Sequence, residues 1–413
     1  MKGTIFGGLT PSSASDEAYK KTMNSICLHN GTVMTGFAVM EHCAVLIEDG
    51  QIADVFSQKR FEQKYFEPGT LVIDVNEAVI APGFMDTHTH GFGGYGTEDL
   101  SAESILEMSR LLVQYGVTAF NPTLYPAEPA LLLRTVKELA SAIGREEGAQ
   151  IMGLHLEGPF LSPDRLGAMK PGVVQPVDLD LMEKLWEAAG GRIVNMTVAP
   201  ELKGMRELAL FCLKKGIVLQ AGHTNATYEN MVEGMQAGIL HSTHLFNAMS
   251  RMDHRNPNAV GSILIHPEMS CEIIADGFHV HPDLYKLLLR DKPVDKIVLV
   301  TDALKPTEQQ TGPFFANGDE MVFRDGVFRR KADDIITGSA LTMIRGVKNL
   351  VSFGFSLEEA VKTATSNPAQ VMRYRNKGTI IPGADADIVV FDRDFRILLV
   401  TVRGIAKKNV LQK

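Results

Sequence analysis

The chain has 413 residues, enough for one large domain or two to three ordinary ones with a substantial core. A formal charge of −8 without any Lys/Arg-rich tract argues against nucleic acid or an anionic membrane surface as the main partner, so any anionic ligand must be held by a few local groups. The four cysteines, Cys27, Cys43, Cys212 and Cys271, form no CxxC pair, which speaks against a disulfide framework or a thiolate zinc site and makes a reducing cytoplasm the simplest home.

In chain order, the start "MKGTIFGGLTPSSAS" has an apolar stretch too short for a secretory signal, and residues 1–23 read as a loosely attached extension. No later segment approaches a membrane-spanning length. Residues 24–77 show short strands with turn signals and no helix between them, as do residues 377–413, so both chain ends are expected to meet in one small β-domain. Between them the pattern changes. Apolar, β-branched runs recur at "AVIAPGFMDTH" (78–88), "VTAFNP" (117–122), "IMGLHLEG" (151–158), "IVNMTVAP" (193–200), "IVLQAGH" (217–223), "GILHSTH" (238–244), "CEIIADG" (271–277) and "KIVLVTDA" (296–303). Most are followed by i, i+3, i+4 apolar spacing such as "ESILEMSRLLVQYG" or "MRELALFCLKKG". Residues 314–337 look like a short β excursion before helical spacing resumes. Eight strand–helix units over residues 78–376 predict a (β/α)8 TIM-type barrel, class α/β, with a small β-sandwich domain built from the two ends.

In such a barrel the chemistry belongs at the C-terminal strand ends. In "GFMDTHTHGFGGYG", His88 and His90 are two apart, so both imidazoles face one side of the first strand and can reach one point. The third strand ends in Glu157, the fifth in His223, the sixth in His244 and the eighth in Asp302. A carboxylate at the end of an apolar strand is costly to bury unless it meets a cation, and barrel closure brings all these ends together. The set predicts a divalent metal site. Zinc is the expected metal, with iron, manganese and cobalt as alternatives, since imidazole and carboxylate serve them all. His155 and His241 lie in the same strands, but His244 is preferred to His241 for its strand-end position. A divalent ion in this setting lowers the pKa of a bound water and polarises a carbonyl, and Asp302 is placed to take the water's proton and hand it to a leaving amine.

These residues sit in motifs that run from about residue 24 to the C-terminus: "PGFMDTHTHG", "GLHLEGPF", "AGHTNAT", "THLFNAM", "IIADGFHV", "LVTDAL" and "ITGSALTM". Here the chain resembles the amidohydrolase superfamily, and within it the N-acetylglucosamine-6-phosphate deacetylase family. The resemblance implies hydrolysis of the acetamido group of an amino-sugar phosphate, N-acetylglucosamine 6-phosphate foremost, to the free amine and acetate. It makes Glu157, His223 and His244 ligands of the main metal, His88 and His90 a ligand pair that only some members possess, which implies one or two ions per subunit, and Asp302 the catalytic acid/base. Asn247 and Ala248 match the segment that meets the sugar phosphate. Arg255 and His279 match phosphate-binding residues that come from the neighbouring subunit, which implies a homodimer with a shared site.

One departure stands out. "GAMKP" places Met169 where the family has a histidine that helps polarise the substrate carbonyl, and methionine cannot donate a hydrogen bond. A metal ion could do the polarising, Lys170 could substitute, or the substrate could differ. Competing readings are an N-acetylgalactosamine 6-phosphate deacetylase, another amidohydrolase, or a weakly catalytic sugar-phosphate-binding regulator. A carboxylated-lysine site is disfavoured because the fourth strand ends in "TVAPE" with no lysine.

Overall fold

The structure, a computed structural model, describes residues 25–411; the expected extension over residues 1–23 lies outside them. Eight parallel strands form its centre: β1 (Phe84–Thr89), β2 (Val117–Leu124), β3 (Leu154–Glu157), β4 (Ile193–Val198), β5 (Val218–Ala221), β6 (His241–Ser242), β7 (Ser270–Ile274) and β8 (Ile297–Val300). Each pairs in parallel with its successor. The ring closes just beyond β8, where Thr89 bridges Ala303 and the amide of Asp302 donates to the carbonyl of His88 at 2.9 Å. Below that seam the buried Asp86 carboxylate accepts from the Thr301 hydroxyl at 2.5 Å and the Thr301 amide at 3.2 Å. The two strand ends are thus pinned together where His88, His90 and Asp302 emerge.

Parallel neighbours need a crossover, and a helix follows every strand. The first, Ala102–Leu112, buries Ile105, Met108 and Leu112 and leaves Glu103 and Arg110 in water. Full burial of each such apolar side chain contributes about 1.5–3 kcal/mol. The helix after β5, Tyr228–Gln236, starts on a reciprocal cap, the Thr227 hydroxyl accepting from the Asn230 amide while the Asn230 side chain accepts from the Thr227 amide. Gly238 follows its end at φ 101°.

The small domain is a single eight-stranded sheet in which both chain ends pair. Val79–Pro82 is its joint, running parallel to Ser25–Met34 on one side and antiparallel to Ile388–Phe391 on the other. Val45 and Leu399, from opposite flanks of the sheet, share one apolar core, so the sheet doubles over on itself and encloses that core without a second sheet. The run 78–88, read as one strand, is therefore two. Its pleat breaks at Gly83, where a Cβ would lie 2.1 Å from the Thr118 hydroxyl, so only glycine lets the chain pass from small sheet to barrel. At this lower end of the barrel the ammonium of Lys377 lies 2.6 Å from Asp387 and 2.7 Å from Asp385.

The excursion after β8 is a three-stranded antiparallel sheet, Phe314–Ala316, Asp319–Arg324 and Val327–Arg330, standing over the upper mouth of the barrel. Among the described residues no helix is long and apolar enough to cross a membrane.

Candidate metal centre and active site

Past its second histidine, β1 turns sharply. Gly91–Phe92 pairs with Tyr95–Gly96 around Gly93 and Gly94, both at positive φ (64° and 94°), a two-residue hairpin turn that glycine enters most readily. The glycine cluster after the histidine pair thus reverses the chain away from the barrel mouth and leaves the site open above His90. His223 and Asp302, each two residues beyond the end of β5 and β8, adopt left-handed backbone (φ 45° and 49°), and this swings both side chains inward.

The side chains meet in two buried groups. Glu157, His223 and His244 form one, and His88, His90 and Asp302 the other, each with ligand atoms within 4.8 Å of one another. Glu157 lies between them: its Oε1 is 3.1 Å from Nε2 of both His223 and His244, and its Oε2 is 3.1 Å from His90 Nε2. Asp302 Oδ1 stands 3.4 Å from His90 Nε2 and 3.5 Å from His88 Nε2. Three of the imidazoles are oriented by their other nitrogen. His90 Nδ1 donates to the Thr123 carbonyl, His223 Nδ1 to the Arg165 carbonyl, each at 3.0 Å, and His88 Nδ1 to Glu272 at 2.9 Å. Each bond leaves the Nε2 lone pair facing the centre, the tautomer a metal ligand requires.

Electrostatics agree with this geometry. Burial raises the pKa of Glu157, but neighbouring His88 foremost, with His223 and His244, outweighs it and holds the carboxyl well below its usual range. Asp302 is likewise raised by burial and lowered more by His88 and His90. His88 Nε2 is buried without a hydrogen-bond partner, a polar atom aimed at a point where no protein atom completes it. The donor chemistry fits a divalent ion: imidazole nitrogens and carboxylate oxygens, buried and converging.

His155 stays out of this cluster. Its nitrogens are matched by the hydroxyls of Thr123 (3.0 Å) and Thr197 (2.9 Å), and burial together with neighbouring His88 pushes its pKa far down, so it is a neutral wall for the site. His241 points to Ser270 instead, its Nδ1 2.8 Å from the hydroxyl. His244 alone of the β6 pair enters the cluster.

A cavity of about 500 Å³ opens directly above both groups. His90, Glu157, His223, His244 and Asp302 lie at its base, with Asn247, Ala248 and His279 along one side. His279, expected from the neighbouring subunit, instead lines the cavity of its own chain, with Nδ1 2.6 Å from Asp276, which orients the ring. Met169 contributes to the apolar wall, with Leu304 and Met321. Lys170 is not part of this lining; its ammonium donates to the Asn317 carbonyl in the excursion sheet, which removes it as a substitute donor. Arg255 lies outside the lining, exposed in the loop after β6 with its amide donating to Asp253. No lysine or arginine appears among the described residues that line the cavity.

The sequence reading missed the layer beneath these donor groups. Asp86, Asn195, Gln220 and Glu272 are fully buried inside the barrel. The signal was a charged or amide residue in mid-strand, as in "SCEIIADG", where an acid interrupts an otherwise apolar run.

A family model described as "Amidohydrolase family" matches residues 79–412. The chain belongs to this family. It is 32% identical over 92% of its length to the N-acetylglucosamine-6-phosphate deacetylase of Bacillus subtilis, covering 96% of that protein. It is 30% identical over 90% of its length to the N-acetylgalactosamine-6-phosphate deacetylase of a Shewanella species, covering 93% of that protein. Among solved structures, a variant of N-acetyl-D-glucosamine-6-phosphate deacetylase from Mycobacterium smegmatis in complex with N-acetyl-D-glucosamine-6-phosphate superposes with a TM-score of 0.86, at 29% identity, over 94% of this chain and all of that one. Within the family the chain groups with these amino-sugar phosphate deacetylases, and its barrel, small sheet and buried donor groups are those of a divalent-metal hydrolase.

Proposed function

We propose that the chain hydrolyses the acetamido group of an N-acetylhexosamine 6-phosphate, N-acetylglucosamine 6-phosphate foremost, releasing acetate and the amino-sugar phosphate. The observation that carries this reading is the floor of the cavity, where Asp302 stands within 3.4–3.5 Å of the imidazoles of a buried two-group donor set. Glu157, His223 and His244 would hold the main ion, and His88 and His90 with Asp302 a second; zinc suits these donors, as do iron, manganese and cobalt. A bound ion supplies Lewis acidity to the amide carbonyl and to the attacking water. Asp302 takes the proton from that water and delivers it to the leaving nitrogen, a transfer worth roughly 10²–10⁴ in rate. Its depressed pKa keeps it ionised and ready to accept at neutral pH.

Asn247, Ala248 and His279 on one side of the cavity suit the sugar phosphate. A phosphate dianion also needs a cation, and among the described residues the lining offers no lysine or arginine. The exposed Arg255 fits a homodimer in which each subunit lends its guanidinium to the other's cavity. A cytoplasmic setting accords with four buried, unpaired cysteines. The galacto-configured substrate is the second reading, favoured by the similarity to the Shewanella enzyme.

Metal content of the purified protein, together with acetate release from a panel of N-acetylhexosamine 6-phosphates, tests the activity. Bound transition metal with no acetate from any of them would sink it. For the shared site, Arg255→Ala and Asp302→Asn homodimers are each expected to be nearly inactive. Mixing them should restore activity, because a mixed dimer pairs the intact Asp302 of one subunit with the intact Arg255 of the other; no recovery would argue against sharing.

A further inference from the structure

The geometry points to Glu272 as a positioning residue that fixes His88 as a ligand and is itself held in place by a chain of side-chain amides running through the barrel. The inference rests on the metal-dependent reading above. Glu272 sits on β7 beneath the donor groups and is completely buried. Its Oε2 accepts from His88 Nδ1 at 2.9 Å and from the His244 amide at 3.3 Å, so one oxygen ties down a residue of each donor group. Its Oε1 accepts from Gln220 Nε2 at 2.9 Å. From there the bonds continue in one sense: Asn195 Nδ2 donates to Gln220 Oε1 at 2.7 Å, Asn121 Nδ2 to Asn195 Oδ1 at 3.1 Å, and the Tyr374 hydroxyl to Asn121 Oδ1 at 2.9 Å.

Every donor in that series points toward Glu272. Aligned bonds of this kind polarise one another, and in a low-dielectric interior they favour negative charge at the accepting end. An isolated buried carboxylate would otherwise be costly. The arrangement has a direct consequence for His88. With the proton committed to Nδ1, the only lone pair left on the ring is that of Nε2, the buried atom that lacks a partner and lies 3.5 Å from both Glu157 and Asp302. Oriented this way, the ring completes the His88, His90 and Asp302 group; turned the other way, it presents an N–H to a cation.

The test is metal affinity in the full-length protein, measured with zinc against a chromogenic chelator and by elemental stoichiometry. Glu272→Ala is expected to weaken the ion at the His88 group by roughly 10–100-fold while the ion at the Glu157, His223, His244 group changes much less. Glu272→Gln keeps an oxygen that accepts from Nδ1 and should recover most of the loss. Wild-type affinity for both ions in a folded Glu272→Ala protein, or an equal loss of both in Glu272→Ala and Glu272→Gln, would overturn the inference. Independently of any variant, nitrogen-15 histidine spectra of the wild-type zinc-loaded protein should show His88 protonated at Nδ1; protonation at Nε2 would overturn it. A wild type that binds no ion at all removes the functional reading and this inference together, whereas an unchanged Glu272→Ala protein removes this inference alone.

Discussion

Two ends of the same barrel bury carboxylates, and they balance them differently. At the lower end, Asp385 and Asp387 close on Lys377, whose ammonium lies within 2.7 Å of both, and Asp387 also accepts from Gln150 and the Arg403 amide. Burial still pushes the Asp387 pKa up, with Lys377 offsetting part of it. That cluster is complete within the chain. At the upper end, Glu157 and Asp302 face imidazoles alone, and His88 Nε2 has no partner. The lower cluster carries its own cation and joins the small sheet to the barrel, while the upper one is arranged for a cation that arrives from solution. Burial of charge therefore marks structure in one place and chemistry in the other, and what separates them is whether the balancing charge is part of the chain.

The contrast can be broken most forcefully at Asp302. Asp302→Asn should lower kcat by about 10²–10⁴ with little change in melting temperature, since the amide fills the same volume but cannot take a proton. Steady-state kinetics and a thermal melt on one preparation check both halves. A large loss of stability with kcat retained would place Asp302 with the structural carboxylates. Removal of metal comes next. A chelator should abolish acetate release and lower the melting temperature on the order of 5 °C, the shift expected when an ion bound about a thousand-fold above its Kd is withdrawn. Zinc added back should restore both; an unchanged melt would mean that the upper cluster is stable without a cation.

Lys377→Met sharpens the other side. It leaves Asp387 buried without its cation and should destabilise the fold by about 3–5 kcal/mol, read by urea denaturation, with kcat per folded molecule and metal content close to wild type. Loss of metal in a folded Lys377→Met protein would show the two ends to be coupled. The smallest effect is expected at Met169. If its thioether is only part of the apolar wall, Met169→Ala should change kcat/KM less than about 10-fold, against the 10²–10³ that removal of a polarising donor costs. A loss in that larger range would give Met169 a direct part in positioning the substrate.

How far the amino-acid sequence alone reached follows from where each signal resides. Periodicity of two and of 3.6 is local, so the alternation of strands and helices, the barrel and the pairing of both chain ends were all legible. So were the strand-end positions of Glu157, His223, His244 and Asp302, because a polar residue closing an apolar run is a local pattern. Three-dimensional closure decided the rest. Gly83 splits one apolar run between two sheets because Thr118, 35 positions on, occupies the space where a side chain would go. Lys170 is tied to Asn317 in the excursion sheet and so cannot replace the missing histidine. Glu272 reaches His88 across 184 positions, and the amide chain that supports it draws one residue each from β2, β4 and β5. Contacts between distant strands depend on the stagger and inward facing of a closed barrel, and neither periodicity nor composition encodes that stagger.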